Sequence, residues 1–247
     1  MIWVADPAEY TSPYLETYAQ VPPAGPGVCR VCHSGPNSDF TVCYSCDLTM
    51  SQVTFPADLV VPISLYEIPG QLHHVLRNYK SGPAANFLRT QVAAMLARFI
   101  GLHHGCFEAA LATSIQAAMI VPSTRSPQRT GAHPLQLAVR QVSHLNELDI
   151  AALKRGSGAV DHRLASDHAF VVEADVRGLT VLLVEDTFTT GARAQSASSA
   201  LRLAGAARVS VLTVGRVIDP GHNDNCQRIW RQARAQPFDF SRCCLEG

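Results

Sequence analysis

From residue 58 onward, two kinds of apolar pattern alternate along the chain. Continuous apolar runs, such as AAMIVP at residues 117–122, are typical of strands buried on both faces. Apolar residues at helical spacing, as in NFLRTQVAAMLARFIGL at residues 86–102, predict helices. We predict strands over residues 58–66, 117–122, 170–173, 179–186 and 208–217, and helices over residues 72–80, 86–102, 134–145 and 192–205. This alternation predicts an α/β fold with a mostly parallel twisted sheet flanked by helices, in which ligands bind beyond the carboxyl ends of the strands.

Two segments lack these periods. Residues 1–27 end in VPPAGPG and are rich in Pro and Gly, so we predict an irregular lead-in. Residues 153–168 are polar and contain glycine, and they predict a long loop that could close over a binding site. We expect a small N-terminal unit over residues 1–50 and an α/β domain over residues 51–247.

Composition limits the function classes. With 47% hydrophobic and 16% charged residues, the 247-residue chain can bury a substantial core. Twenty basic and twenty acidic side chains give no net charge, which excludes a global basic field that would attract nucleic acid or anionic membranes. No apolar run approaches the roughly 18 residues that span a bilayer. We therefore expect a cytoplasmic protein without membrane contact.

Four of the eight cysteines form two CxxC pairs separated by ten mostly polar residues. Four thiolates suit tetrahedral zinc and leave no open position, so Cys29, Cys32, Cys43 and Cys46 predict a structural zinc site. The alternatives are a redox dithiol pair and cysteines without a ligand role. His33 could replace one sulfur, but we expect it to be an exposed loop residue. The remaining cysteines, which lack metal-site spacing, are Cys106, Cys226, Cys243 and Cys244. A second metal site that includes Cys243 and Cys244 stays open as an alternative.

The segment VLLVEDTFTTGA, residues 181–192, places two adjacent acids between an apolar strand and a helix. We predict the strand-to-helix turn over residues 185–191, with Glu185 and Asp186 facing solvent. Backbone amides and threonine hydroxyls at a helix N-terminus favour phosphate, whereas carboxylates accept hydrogen bonds from sugar hydroxyls. The alternatives are a receiver-domain phosphoacceptor strand and a tight turn with solvated acids. The pattern predicts a ribose 5-phosphate site formed by Glu185, Asp186, Thr187, Thr189, Thr190, Gly191 and Ala192.

This segment resembles the 5-phosphoribosyl 1-pyrophosphate (PRPP) signature of type I phosphoribosyltransferases. The order of a paired-CxxC segment, NYKSG (residues 78–82), IVPSTRSPQR (residues 120–129) and VLLVEDTFTTGA resembles the ComF family of competence-associated phosphoribosyltransferase-like proteins. The resemblance implies the type I phosphoribosyltransferase fold and displacement of pyrophosphate from PRPP by a nitrogen acceptor, with Mg²⁺ on the pyrophosphate. It implies pyrophosphate contacts by Lys80, Ser123, Arg125 and Arg129, and catalytic roles for Glu185, Asp186 and Arg125.

The chain departs from the family pattern at His133, Ser166 and Arg193. At the position of Arg193 the family usually has threonine. A second hypothesis is a non-catalytic PRPP sensor or DNA-uptake accessory protein, in which the zinc segment docks a partner protein. Residues 29–46 contain one arginine, Arg30, and no lysine, so we predict that the cysteine segment binds nucleic acid only weakly. A homodimer stays open.

Overall fold

A five-stranded parallel sheet forms the centre of the protein among residues 6–122, 132–145 and 148–246, which the computed structural model describes. All its neighbouring strands are parallel. Its strands are β1 (Leu59–Tyr66), β2 (Ala117–Ile120), β3 (Asp149–Ala152), β6 (Thr180–Phe188) and β7 (Arg208–Val217), in the order β1-β7-β6-β2-β3. A separate antiparallel pair consists of β4 (Lys154–Arg155) and β5 (Phe170–Val171).

Helices lie between the strands along the chain. They are α1 (Pro7–Thr11), α2 (Tyr44–Ser51), α3 (Gln71–Asn78), α4 (Ala85–Leu111), α5 (Pro134–Val139), α6 (Ala192–Leu203) and α7 (Asp224–Arg234), with 3-10 turns at Ser12–Thr17 and Ser143–Leu145. After α6, Gly205 has a φ of +103°, the left-handed conformation that favours glycine at a helix end. None of the described helices has the length and apolar content that a bilayer crossing requires.

The central strands are buried on both faces. In β6, Leu182 and Val184 belong to one buried cluster, whereas Val181 and Leu183 belong to another. A strand covered on both sides needs apolar residues at successive positions, which explains the continuous apolar runs in the sequence. The predicted class, a mostly parallel sheet flanked by helices with a four-cysteine N-terminal segment, is confirmed.

Several element predictions need correction. Residues 170–173 were predicted as a strand, but only Phe170 and Val171 are extended, and they pair with β4 outside the main sheet. The helix predicted over residues 134–145 ends at Val139, whereas α4 extends beyond its prediction to Leu111. The lead-in is not wholly irregular, because it contains α1 and a 3-10 turn that each have proline in the first two positions.

The N-terminal segment packs directly on the sheet. The Leu65 amide of β1 donates a hydrogen bond of 2.9 Å to the Ala19 carbonyl. Tyr18 and Val21 belong to the same buried cluster as the β1 residues Val61 and Leu65. Residues before 50 therefore contribute to the main core, and the division at residue 50 stays a prediction.

Candidate functional site

The carboxyl edge of the parallel sheet opens into a cleft of about 1020 Å³. Residues at or just beyond the end of every central strand line it: Tyr66, Pro122, Ala152, Thr187 and Val217. Such edges are where parallel α/β sheets bind ligands. The described lining includes five basic side chains (Arg77, Lys80, Lys154, Arg155 and Arg193) and three acidic ones (Asp161, Glu185 and Asp186), so it favours an anionic ligand.

Glu185 and Asp186 lie within strand β6, at the end of the strand predicted over residues 179–186 and not in the turn predicted over residues 185–191. The strand continues to Phe188, and each of the two acidic residues is only 2% exposed. The expectation that the acids face solvent is therefore wrong. Buried carboxylates are costly unless cations or hydrogen-bond donors compensate them.

Two cations and a tyrosine supply that compensation. Lys80 Nζ forms an ion pair with Asp186 Oδ2, and the Tyr79 hydroxyl donates a hydrogen bond of 2.9 Å to the same oxygen. The Arg193 guanidinium lies 3.0 Å from Glu185 Oε1 and 3.9 Å from Asp186 Oδ1. Arg193 is in the first turn of α6, so its side chain connects the two acids to the N-terminus of that helix.

The two carboxyl groups have opposite pKa shifts. Burial raises the pKa of Glu185 from 4.5 to about 7, with a further increase from Asp186, whereas Arg193 and Lys80 lower it. Burial also acts to raise the pKa of Asp186, but Lys80, Arg193 and Tyr79 outweigh it and hold that pKa below its ordinary value. Asp186 is therefore ionised at neutral pH, while Glu185 titrates near neutrality.

The turn at residues 189–191 and the start of α6 form the predicted phosphate site, which we call the phosphate cup. Gly191 has a φ of +88°, and a Cβ atom there would lie 2.5 Å from the Phe188 ring, so this position requires glycine. As N-cap, Gly191 provides no side-chain hydrogen bond, and the Ala192 amide has only a long one, of 3.5 Å, to the Thr190 hydroxyl, so the amides in the first turn of α6 are suited to bind an anion. Those amides begin at Ala192, whereas we predicted amides of residues 187–191. The Thr190 hydroxyl donates to the His162 carbonyl of the 153–168 loop, which already contacts the cup.

All seven predicted ribose 5-phosphate residues and Lys80 line the same cleft. The other predicted pyrophosphate contacts, Ser123, Arg125 and Arg129, lie outside the described residues. Sequence reasoning missed Tyr79 and the contacts of Arg193. A signal was present for Arg193, because a cation in the first turn of a helix opposes the helix dipole and indicates a nearby anion.

The four predicted zinc ligands converge at a second place. The sulfur atoms of Cys29, Cys32, Cys43 and Cys46 all lie within 4.8 Å of one another, and all four residues are buried. The Cys32 and Cys43 sulfurs are 3.7 Å apart. Tetrahedral zinc with Zn–S bonds of about 2.3 Å places its sulfurs about 3.8 Å apart, so this group fits zinc.

His33 does not belong to this group, and the expectation that it is exposed is wrong. It is 4% exposed, and its Nδ1 atom is 2.9 Å from the Pro22 carbonyl oxygen. Burial is the main cause that lowers its pKa, so the ring is neutral. Its contact with Pro22 attaches the cysteine segment to the lead-in.

Arg216 of β7 carries the counter-charge of the cysteine site. The residue is 6% exposed, and its guanidinium donates hydrogen bonds to the Phe188 and Val217 carbonyls. Hydrogen bonds from the other cysteines, together with attraction to Arg216, hold the pKa of the Cys32 thiol well below its usual value. Four thiolates around Zn²⁺ would carry two negative charges, which a buried arginine partly offsets.

Helix α2 links the cysteine site to the phosphate cup. It carries the predicted ligand Cys46 in its first turn and Thr49 one turn later. The Thr49 hydroxyl lies 3.3 Å from the Thr190 carbonyl oxygen and 2.8 Å from that of Ser45. If the cysteine segment lost its structure, Thr190 would lose this contact with α2.

No protein-family model matches the chain, and no curated protein matches it in sequence. Solved structures that are similar in fold include adenine phosphoribosyltransferase from Saccharomyces cerevisiae, with 15% identity over 60% of this chain and 76% of that chain and a TM-score of 0.36. A phosphoribosyltransferase from Corynebacterium diphtheriae shows 20% identity over 70% of this chain and 92% of that chain, with a TM-score of 0.33. A purine phosphoribosyltransferase from Pyrococcus horikoshii shows 13% identity over 51% of this chain and 87% of that chain, with a TM-score of 0.32. These similarities concern fold, and the chemistry of the cleft rests on its own residues.

Proposed function

We propose that this chain is a ComF-like phosphoribosyltransferase that binds PRPP in the cleft and transfers its phosphoribosyl group to a nitrogen acceptor. The observation that carries the proposal is the position of a buried acid pair beside a helix N-terminus with a glycine N-cap in one basic cleft. A sugar phosphate needs both parts, because its hydroxyls donate to carboxylates and its phosphate accepts from amides and cations. Glu185 and Asp186 would hold the ribose, and the phosphate cup would hold the 5-phosphate.

The ion pairs of Glu185 and Asp186 support a mechanism in which the two acids exchange their cations for ribose hydroxyls when PRPP binds. Lys80 and Arg193 neutralise the carboxylates, but both also line the cleft where the phosphates of PRPP would enter. Arg193 Nε is a buried donor without a hydrogen-bond partner among the described residues, so a shift of this guanidinium toward a phosphate would satisfy it. Phosphates would attract the cations, and ribose hydroxyls would then donate to Glu185 and Asp186.

In the reaction, the bond between C1 of the ribose and pyrophosphate breaks, and a bond from C1 to the acceptor nitrogen forms. Lys80 would stabilise the departing pyrophosphate, and the carboxylates would face the positive charge that develops on the ribose. Arg125 stays a sequence-based prediction for the same leaving group. Mg²⁺ fits this site, since it is commonly held by one or two carboxylates and substrate phosphates. Glu185 and Asp186 are the residues that would hold it, and it would supply charge neutralisation at the pyrophosphate.

Arg193 favours a second candidate function, in which PRPP binds without turnover. The family that the sequence resembles usually has threonine at position 193. Here the Arg193 guanidinium forms ion pairs with both Glu185 and Asp186. A PRPP sensor or DNA-uptake accessory protein needs binding alone. Pyrophosphate release from PRPP and Mg²⁺ across a panel of nitrogen bases separates the two candidates: turnover supports the enzyme, and tight binding without turnover supports the sensor.

The Asp186→Asn variant tests the sugar-binding role directly. We expect it to weaken PRPP by about 1.5 to 3 kcal/mol, the range for a hydrogen bond to a charged group, as measured by calorimetry with Mg²⁺. Ribose 5-phosphate should weaken similarly, whereas inorganic phosphate, which has no ribose, should bind almost unchanged. Because Asp186 is buried, thermal unfolding must confirm that the variant is folded at the assay temperature.

Asp161→Asn is the matched control, since it removes the same charge from an exposed residue in the same cleft. It should change PRPP affinity much less than Asp186→Asn. Equal PRPP binding by the parent and a folded Asp186→Asn variant would contradict the phosphoribosyl proposal.

A further inference from the structure

A second group of metal-ligating side chains lies outside the cleft and outside the four-cysteine site. His103 Nδ1, Cys106 Sγ, Cys243 Sγ and a Glu246 carboxylate oxygen all lie within 4.8 Å of one another. His103 and Cys106 are three residues apart on α4, and Cys243 and Glu246 are three residues apart in a C-terminal turn. Two short-range pairs, far apart in sequence, therefore converge on one point.

The three distances among His103, Cys106 and Glu246 are those of a tetrahedral zinc site, and the Cys243 sulfur lies within 4.8 Å of each of these ligand atoms. Cys106 Sγ is 3.6 Å from His103 Nδ1 and 3.3 Å from Glu246 Oε1, and His103 Nδ1 is 3.4 Å from the same carboxylate oxygen. Zinc bonds of about 2.0 to 2.3 Å in a tetrahedron place neighbouring N, O and S ligands about 3.3 to 3.8 Å apart. The four-cysteine site, with its 3.7 Å sulfur pair, lies in the same range.

The histidine is oriented as a metal ligand. Its Nε2 atom is 2.7 Å from the Phe240 carbonyl oxygen, which can only accept a hydrogen bond, so Nε2 carries the proton. In the neutral ring, Nδ1 then presents its lone pair to Cys106 and Glu246. A backbone carbonyl that fixes the tautomer in this way is the usual outer partner of a metal-bound histidine.

A cation also suits the acceptors of the group. In the neutral ring, the Nδ1 lone pair and the Glu246 carboxylate are both acceptors at a distance of 3.4 Å, whereas in a protonated ring Nδ1 would donate to the carboxylate. A metal ion between them satisfies both, together with the two sulfurs. Cys106 and Glu246 are partly exposed, which gives an ion a path from solvent, whereas His103 and Cys243 are buried.

We propose that His103, Cys106, Cys243 and Glu246 bind a second zinc ion, which holds the C-terminal turn against α4. One nitrogen, two sulfurs and one carboxylate oxygen form a donor set that zinc accepts in tetrahedral geometry. Binding releases the protons of the Cys106 and Cys243 thiols to solvent. The site is independent of PRPP binding, so its test does not depend on the proposed function.

Zinc content of the full chain provides the test. After expression in zinc-replete medium and dialysis, we expect about two zinc ions per parent chain, about one in Cys106→Ala and about two in Cys244→Ala. Cys244 is the matched control, because it is the neighbouring buried cysteine outside the group. Cobalt substitution gives a second readout, since the thiolate-to-cobalt absorption should report four sulfurs at one site and two at the other.

Glu246→Gln keeps the proposal testable if Cys106→Ala does not fold, because the Glu246 side chain is 48% exposed. This variant should release its second zinc to a chelator faster than the parent does. One zinc per parent chain, or equal zinc in folded Cys106→Ala and Cys244→Ala, would overturn the proposal. A non-reduced parent that is lighter by two hydrogens through a Cys106–Cys243 disulfide would also overturn it.

Discussion

Cys32→Ser should remove the zinc predicted at the four-cysteine site and lower the free energy of unfolding by about 3 to 5 kcal/mol, the cost of depriving a buried charge of its partner. Cys32 is fully buried, and a hydroxyl is a poor substitute for a thiolate ligand. The change would also deprive the buried cation of Arg216 of the Cys32 thiolate, which attracts it more than the other cysteines do. Denaturant unfolding and metal analysis of the same samples measure both effects.

Cys226→Ser is the matched control for this experiment. Cys226 is also buried against the cysteine segment, where its sulfur lies 3.3 Å from the Gly35 carbonyl oxygen, but it is not a ligand in the four-cysteine group. A serine hydroxyl can keep that hydrogen bond, so the control should keep its zinc and most of its stability. Full zinc occupancy in Cys32→Ser would show that the four cysteines do not act as one site.

Loss of zinc in Cys32→Ser should also weaken ligand binding in the cleft. The Thr49 hydroxyl of α2 lies 3.3 Å from the Thr190 carbonyl oxygen, and α2 begins directly after the predicted ligand Cys43. If the cysteine segment unfolds, Thr190 loses this contact, so Cys32→Ser should also bind PRPP more weakly than Cys226→Ser does. The metal site would then act as a support for the phosphate cup and not as a separate appendage.

Much of this architecture was predictable because the relevant signals are local. The β7 strand, predicted over residues 208–217, spans Arg208–Val217, since this segment is rich in valine and other residues that favour buried strands. The CxxC spacing identified four cysteines that do converge. Of the strand-to-helix turn predicted over residues 185–191, the part at residues 189–191 is present, and Gly191 there has a positive φ.

Other features depend on contacts between distant residues, which a local pattern does not contain. The burial of Glu185 and Asp186 was missed because two adjacent acids are normally a sign of a solvated turn. Their compensation by Lys80, more than 100 residues earlier, depends on the packing of β6 near the end of α3. The short strand β3 also escaped prediction, because four residues with one acid give no clear period.

Arg193→Met should destabilise the protein by about 3 to 5 kcal/mol at alkaline pH but by much less near pH 5. The guanidinium lies 3.0 Å from Glu185 Oε1, so its removal leaves a buried carboxylate without that partner. Near pH 5 the Glu185 carboxyl is already protonated in the folded protein, because its pKa is raised to about 7. A neutral carboxyl needs little compensation.

The pH dependence of the parent follows from the same group. Glu185 binds its proton more tightly when folded than when unfolded, so its contribution to stability is fully present below about pH 4.5 and is lost as the pH rises to about 7. The shift corresponds to about 3 kcal/mol. Arg193→Met removes an interaction that lowers this pKa, so the loss should extend to still higher pH. In Glu185→Gln the dependence over this range should largely disappear.

A double-mutant cycle at two pH values isolates the pair. In the Glu185→Gln background, Arg193→Met should cost less, and its cost should vary little between about pH 5 and about pH 8.5, where urea unfolding is compared. Arg202→Met is the matched control, since Arg202 is on the same helix but does not line the cleft. A cost of Arg193→Met that is the same at both pH values in the parent background would show that Arg193 stabilises α6 through packing, and not through the charge of Glu185.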